Sequence, residues 1–270
     1  MRLLVRLLIG AIGLLMAAQF PPVAQAVTTY SVSIKGTVVC DWSSDAVQGV
    51  WVENLDGGDK WASWWAFPGR SNAAYYSVTV TATRPDPVLR LDIGCGRTSS
   101  GGWRRTLLTP DFRTRNGYPE NRRCIGTQTA ANRARVCKPS PTRTLTYNTG
   151  IRGYCTWGAL EKWRSFVGSY PNITGHAINM DNSAKANGFY VSSVPHIASM
   201  VVWNTSGYGH VGWVTAVRKT NGRVYFDSFD MNVGSWVDQA AGITTGFNQY
   251  KSRTNIPWDT SVHAFIVAPT

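Results

Sequence analysis

The chain has 270 residues, 43% hydrophobic and 12% aromatic, and its 27 Lys and Arg against 15 Asp and Glu give a net charge of +12. That apolar content is enough to bury cores in one large or two small domains, and no segment beyond the N-terminal leader is long or apolar enough to span a membrane. A basic exported chain meets anionic partners first: wall polymers, phospholipid headgroups or extracellular nucleic acid.

Export is read from the first residues. Arg2 and Arg6 flank a Leu-rich opening, an apolar run follows from Leu7 to Ala18, and Ala24-Gln-Ala26 offers small residues for cleavage, which is the pattern of a secretory signal peptide over residues 1–26. The expected mature chain starts at Val27, is secreted, and without Arg2 and Arg6 carries about +10, that is +12 − 2.

Residues 27–96 are expected to form a small β-sandwich-like accessory domain. Tyr30, Val32, Ile34, Val38 and Cys40 alternate with Ser31, Ser33, Lys35 and Thr37, and similar runs occur at 49–54, 60–67, 75–83 and 88–95. Asp56-Gly-Gly58 and Pro85-Asp-Pro87 supply turns between them. A Cys40–Cys95 bridge would pin the first strand to the last, although Cys40, Cys95, Cys124 and Cys137 allow three pairings. Trp61, Trp64 and Trp65 could form a sugar-binding platform, with alternation turning at least one of them inward. From Arg97 to Arg152 twelve Lys or Arg stand against Asp111 and Glu120. Residues 97–146 therefore read as a basic connector, in which Cys124 and Cys137 can close a loop. Its charge suits anionic wall polymers; no aromatic-interleaved RNA motif or DNA-reading helix accompanies it, so no specific nucleic-acid partner is expected.

After Tyr147 the pattern becomes α+β. Thr156, Leu160, Trp163 and Val167 fall at i, i+4, i+7 and i+11, with Ala159 and Phe166 beside them, which predicts a helix that Gly168 stops. A second helix is expected near 181–187, and strands at 199–204, 210–218, 223–229 and near 263–267. Five cysteines cannot all pair within one molecule, and Cys155 stands apart from the other four. At the first turn of a helix its thiol would feel the positive end of the dipole, which favours the nucleophilic thiolate. The partner it needs is a histidine. His210 follows Gly207-Tyr-Gly209 and precedes Val211-Gly-Trp-Val-Thr-Ala-Val217, which puts it at the mouth of a strand.

Five segments in order, GYCTW at 153–157, NSAKANGFYV at 182–191, PHIASMVVW at 195–203, YGHVGWVTAV at 208–217 and DMN at 230–232, resemble the CHAP family of cysteine- and histidine-dependent amidohydrolases and peptidases. The resemblance covers about residues 147–245, within a catalytic domain expected over 147–270. It implies a papain-like fold and cleavage of peptidoglycan, either as an N-acetylmuramoyl-L-alanine amidase or as an endopeptidase. Carried over by position, it implies Cys155 as nucleophile and His210 as general base, with Asp230 and Asn232 in the place of an acidic-x-Asn pattern that orients the imidazole.

Strand register tests the third residue independently. A three-residue loop Thr220-Asn-Gly222 would pair His210 with Asn232 and leave Asp230 diagonally across on the same face. A two-residue Asn-Gly turn would instead present Asp227 and Met231 there. Elsewhere His176 and His196 read as surface or core histidines, His263 as part of a final core strand, and Glu161 as a solvated helix residue. No set of ligands has zinc spacing, and Ser140 to Tyr154 contains no carboxylate, so the calcium loop carried by some relatives is absent. No cofactor is expected. Two other readings stay open: a non-catalytic wall-binding protein that uses the same fold, and an amidohydrolase of a small peptide amide.

Overall fold

Alternation organises the first half of the chain. The structure, a computed structural model, describes residues 27–40, 45–96, 105–124, 134–136, 143–204, 207–233 and 247–269; the expected signal peptide and Cys137 lie outside these. Strands β1 (Tyr30–Cys40), β2 (Ala46–Asn54), β3 (Lys60–Trp61), β4 (Ser63–Phe67), β5 (Arg70–Ala82) and β6 (Val88–Gly96) fall where the apolar–polar alternation places them. They divide between two sheets. One has the order β4-β5-β1 and the other contains β6-β2-β3. Val32, Ile34, Tyr76 and Val78 of the first sheet meet Val50, Val52, Leu91 and Ile93 of the second in one core. Each such aliphatic side chain contributes roughly 1.5–3 kcal/mol by burial. A Cys40–Cys95 disulfide ties β1 to β6 across that core.

The expected connector is not one. β7 (Arg105–Leu108) pairs with β6, β8 (Phe112–Arg113) also pairs with β6, β9 (Arg122–Cys124) runs parallel to β1, and β10 (Ala134–Val136) runs parallel to β7. These strands are too short to show an alternation, and one of their charges is used internally. Arg122 is buried with Glu120 at 2.8 Å and lies 4.6 Å from the Phe112 ring, so its side chain is part of the fold and not a solvated cation. Trp65 stacks on Tyr75 and is half-buried, whereas Trp61 is exposed with its edge on Trp51.

The second half is built on a six-stranded antiparallel sheet of order β13-β18-β14-β15-β16-β17: β13 (Val191–Ser192), β14 (Ser199–Trp203), β15 (His210–Thr220), β16 (Arg223–Met231), β17 (Tyr250–Pro257) and β18 (His263–Val267). A small ribbon pairs β11 (Thr144–Leu145) with β12 (Tyr170–Pro171). Helix α1 (Cys155–Val167) lies on the sheet and buries Ala159, Leu160 and Trp163 against Met200, Val202, Val211 and Trp213. Gly168 stops it in the left-handed conformation (φ 91°), its N–H bonding the Arg164 carbonyl at 2.8 Å. A 3-10 turn (Ala177–Asn179) leads into α2 (Met180–Ala186). The described residues are mostly β-sheet with few helices.

The two halves share a core. Val39, Phe67 and Ala73 of the sandwich pack with Val201, Trp203, Val214 and Phe226 of the second sheet. Polar ties accompany them: Asn121 Nδ2 donates to the Ile197 carbonyl at 2.6 Å, and Thr37 Oγ1 donates to the Pro195 carbonyl at 3.2 Å. Tyr118 stacks on Phe166 of α1 with ring centroids 5.0 Å apart.

Candidate active site

Cys155 opens α1. Tyr154 before it is extended (φ −94°, ψ 166°) and makes no side-chain cap, so the first N–H groups of the helix stay available. The loop leading in is braced by Asn148, whose Oδ1 accepts from the Gly150 N–H at 2.8 Å and whose Nδ2 donates to Glu161 Oε1 at 2.8 Å. Glu161 also accepts from the Tyr170 hydroxyl at 2.6 Å, so it is a brace and not the solvated residue expected. Burial pushes the Cys155 thiol up, but the hydrogen bond and charge of His210, with the N–H groups of Val211 and Thr156, outweigh it and hold the thiol below its ordinary range. His210 moves the other way. Its burial disfavours the cation, yet Asp230 and the thiol carry its pKa up to about 9. A lowered thiol beside a raised imidazole describes a thiolate–imidazolium pair.

Asp230 reaches His210 by a different route from the one expected. The turn has two residues, with Asn221 (φ 50°) and Gly222 (φ 78°), and Thr220 pairs with Arg223. Unaltered, that register would put Asp227, opposite Ala216, on the face of His210 and turn Asp230 to the other face. The ladder instead shifts by one between Val214 and Ala216, after which Val214 faces Ser228 and Trp213 faces Phe229. Continued, this spacing sets Gly212 opposite Asp230 and His210 opposite Asn232. The bulge restores the face that the three-residue loop would have given. Asp230 Oδ2 lies 3.5 Å from His210 Nε2. Asp227 forms a two-bond pair with Arg218, Nη1 and Nη2 donating at 2.7 and 2.6 Å, and it accepts from the Asn255 N–H. Arg218 first, then the Asn255 N–H, hold that carboxyl below its ordinary value despite partial burial.

The structure brings Cys155, His210 and Asp230 together. Asn232 sits at the end of β16 in a left-handed conformation (φ 52°), and among the described residues its side chain makes no hydrogen bond to the imidazole. Arg253 and Gly212 were missed. Arg253 lies on β17, a strand not anticipated even though Tyr250, Ser252, Thr254 and Ile256 alternate with Lys251, Arg253 and Asn255. A Cβ added at Gly212 would overlap the Asp230 carboxylate, so glycine at this point makes the room for it.

Above Cys155 opens a cleft of about 570 Å³, lined by Thr149, Ile151, Tyr154, Thr156, His176 and Tyr208 among others. His176, expected only as a surface or core residue, pairs its ring with Tyr208 at 4.7 Å on one side, and Tyr154 meets Phe247 at 5.4 Å on another. Gly209 (φ 68°) lets its strand end approach Ile178, whose N–H bonds the Tyr208 carbonyl at 3.0 Å. His196, by contrast, is a core histidine: it is fully buried against Ser192 Oγ at 3.0 Å, and burial pushes its pKa down to about 3. Among the described residues no three His, Cys, Asp or Glu cluster in a way that would hold a metal ion.

The family model of the CHAP domain matches residues 146–232, which hold the thiol, the histidine and the carboxylate. Residues 146–232 form a CHAP domain. A protein of Streptococcus mutans serotype c named "Putative hydrolase" is 34% identical over 97 residues, 35% of this chain and 43% of its own length. The chain thus matches less than half of that curated relative's length.

Proposed function

We propose that the protein is an exported cysteine amidohydrolase of peptidoglycan, with Cys155 as nucleophile, His210 as base and acid, and Asp230 as the carboxylate that orients the imidazole. The observation that carries this reading is the half-buried Cys155 thiol at the start of α1, lining an open cleft and coupled to the buried His210, which Asp230 approaches from its other side at 3.5 Å. The Cys155 thiolate attacks an amide carbonyl, His210 protonates the departing amine, and a water activated by His210 cleaves the thioester. The N–H of Cys155 is the first donor to the oxyanion. The name of the matched relative agrees with hydrolysis. Export rests on the signal-like residues 1–26, and no helix among the described residues is long and apolar enough to cross a membrane. A helix-borne thiol against a sheet-borne histidine is the arrangement expected of a papain-like catalytic domain over 147–270, and residues 27–146 serve it as an accessory unit. The basic surface suits anionic wall polymers as partners.

Purified sacculi test the reading. The wild-type protein should release soluble fragments carrying new amine and carboxyl ends, read by mass spectrometry. Binding to sacculi without release would favour a non-catalytic wall protein, and release only from small peptide amides would favour the third reading.

A further inference from the structure

The carboxylate oxygen of Asp230 nearest His210 is also held by a cation. Arg253 Nη1 donates to Oδ2 at 3.0 Å, in a pair whose side chains are 0% exposed for Asp230 and 9% for Arg253. The approach follows from register: Arg253 is opposite Ser228 on β16, and so lies diagonally from Asp230 on the same face. Gly212, opposite Asp230, leaves that face open between β14 and β17, and the Arg253 guanidinium stands 4.9 Å over the Trp203 ring. Trp203 in turn lies 5.1 Å from the ring of His210. The guanidinium is therefore fixed by an aromatic face and by the carboxylate together.

Resting on the catalytic reading above, we propose that Arg253 is a positioning residue of the active site: it holds the Asp230 carboxylate aimed at His210 and adds a fixed positive charge beside the His210–Cys155 pair. A carboxylate this deeply buried loses its hydration, and a single imidazole at 3.5 Å is weak compensation. Arg253 supplies the charge-assisted bond that fixes it. Other groups facing the pair are the Cys155 thiol from α1, Lys251 directly opposite Asp230 on β17, and His263 from β18, whose burial pushes its pKa down to about 4 and leaves it neutral. Lys251 and Arg253 thus carry the fixed positive charge on this side, and of the two Arg253 has a bond to the carboxylate.

The test reads the rate at which iodoacetamide alkylates Cys155 as a function of pH, together with turnover on sacculi and the melting temperature. Because alkylation needs no wall substrate, it separates this proposal from the function: a wild-type Cys155 with ordinary thiol reactivity would overturn the active-site reading itself. In Arg253→Gln the low-pH limb of the profile should move up by about half a pH unit or more, because a nearby positive charge has been lost, and turnover should fall at least about tenfold, the factor such a loss of carboxylate positioning implies. Arg253→Lys keeps the charge and should return the limb to the wild-type position, with part of the turnover. An unmoved limb in folded Arg253→Gln, whatever its melting temperature, would reduce Arg253 to a structural residue. Should Arg253→Gln not fold, Arg253→Lys decides: a wild-type limb upholds the proposal, and a displaced limb despite the retained charge overturns it.

Discussion

The N-terminal sandwich and the C-terminal sheet each bury a carboxylate against a guanidinium: Glu120 with Arg122 at 2.8 Å, and Asp230 with Arg253 at 3.0 Å. Their surroundings differ. Glu120 and Arg122 are two residues apart, and the Glu120 carbonyl accepts from the Tyr76 hydroxyl at 2.9 Å while Arg122 donates to the Asn121 carbonyl. Burial raises the Glu120 carboxyl, and Arg122 draws it back. Asp230 and Arg253 come from different strands and bring in a third group, His210, whose Nε2 finds no well-formed hydrogen bond among the described residues. One pair closes a fold; the other leaves a histidine available to a thiol. Buried ion pairs are weak evidence of stability, and the difference lies in what they leave unsaturated.

Removing the two carboxylates should separate these roles. Asp230→Ala is expected to lower turnover by about three to four orders of magnitude, as loss of the orienting carboxylate does in triad enzymes. Glu120→Ala should leave turnover per folded molecule in place and destabilise the protein by roughly 3–5 kcal/mol, because Arg122 would stay buried without its partner. Kinetics and denaturant melts on both variants check the pair, and the reverse assignment would dissolve the comparison.

A smaller effect comes from two glycines. Gly212→Ala must displace the Asp230 carboxylate, and a shift of about 1 Å at a catalytic group costs on the order of a hundredfold in rate. Gly58→Ala in the sandwich meets nothing within 4 Å and should change neither rate nor stability. Smaller again is Asp227→Ala, which should cost about 1 kcal/mol of stability through the partly exposed Arg218 pair and leave turnover unchanged. Loss of turnover here would show that the bulge at Val214–Ala216 does not govern which aspartate serves His210.

How the sequence exposed these features differs between the two halves. Long alternating strands such as Tyr30–Cys40, and α1 with its stop at Gly168, were legible because each repeats a period over several turns or pleats. Cys155 and His210 were legible from an odd cysteine, a helix start and the family segments. The bulge was not, because one extra residue in β15 leaves no mark in an apolar run. Asp230 was therefore placed on the right face by a loop that does not exist. Arg253 was hidden because β17 alternates polar with polar over most of its length, and the short strands β7 to β9 were hidden inside a charged stretch that looked solvated.

The weakest expected effect is on stability in acid. His196 and His263 are buried with pKa values pushed down to about 3 and about 4, chiefly by burial. The unfolded chain then binds protons that the folded one refuses, so stability should fall as pH drops from about 6.5 toward 4. His210 has the opposite sign: with its pKa raised to about 9, its contribution is complete below about 6.5 and is lost as pH rises through about 9. Melts across pH on His196→Gln should show a shallower acid slope, and a slope unchanged from wild type would remove His196 from the account.

The central claim is that the Cys155 thiolate performs the cleavage. Cys155→Ala, shown to fold by its melting curve and circular dichroism, should release no soluble fragment from purified sacculi above the no-enzyme level, while the wild-type protein run beside it does. Normal release by that folded variant would contradict the assignment of Cys155, and with it the roles given to His210, Asp230 and Arg253.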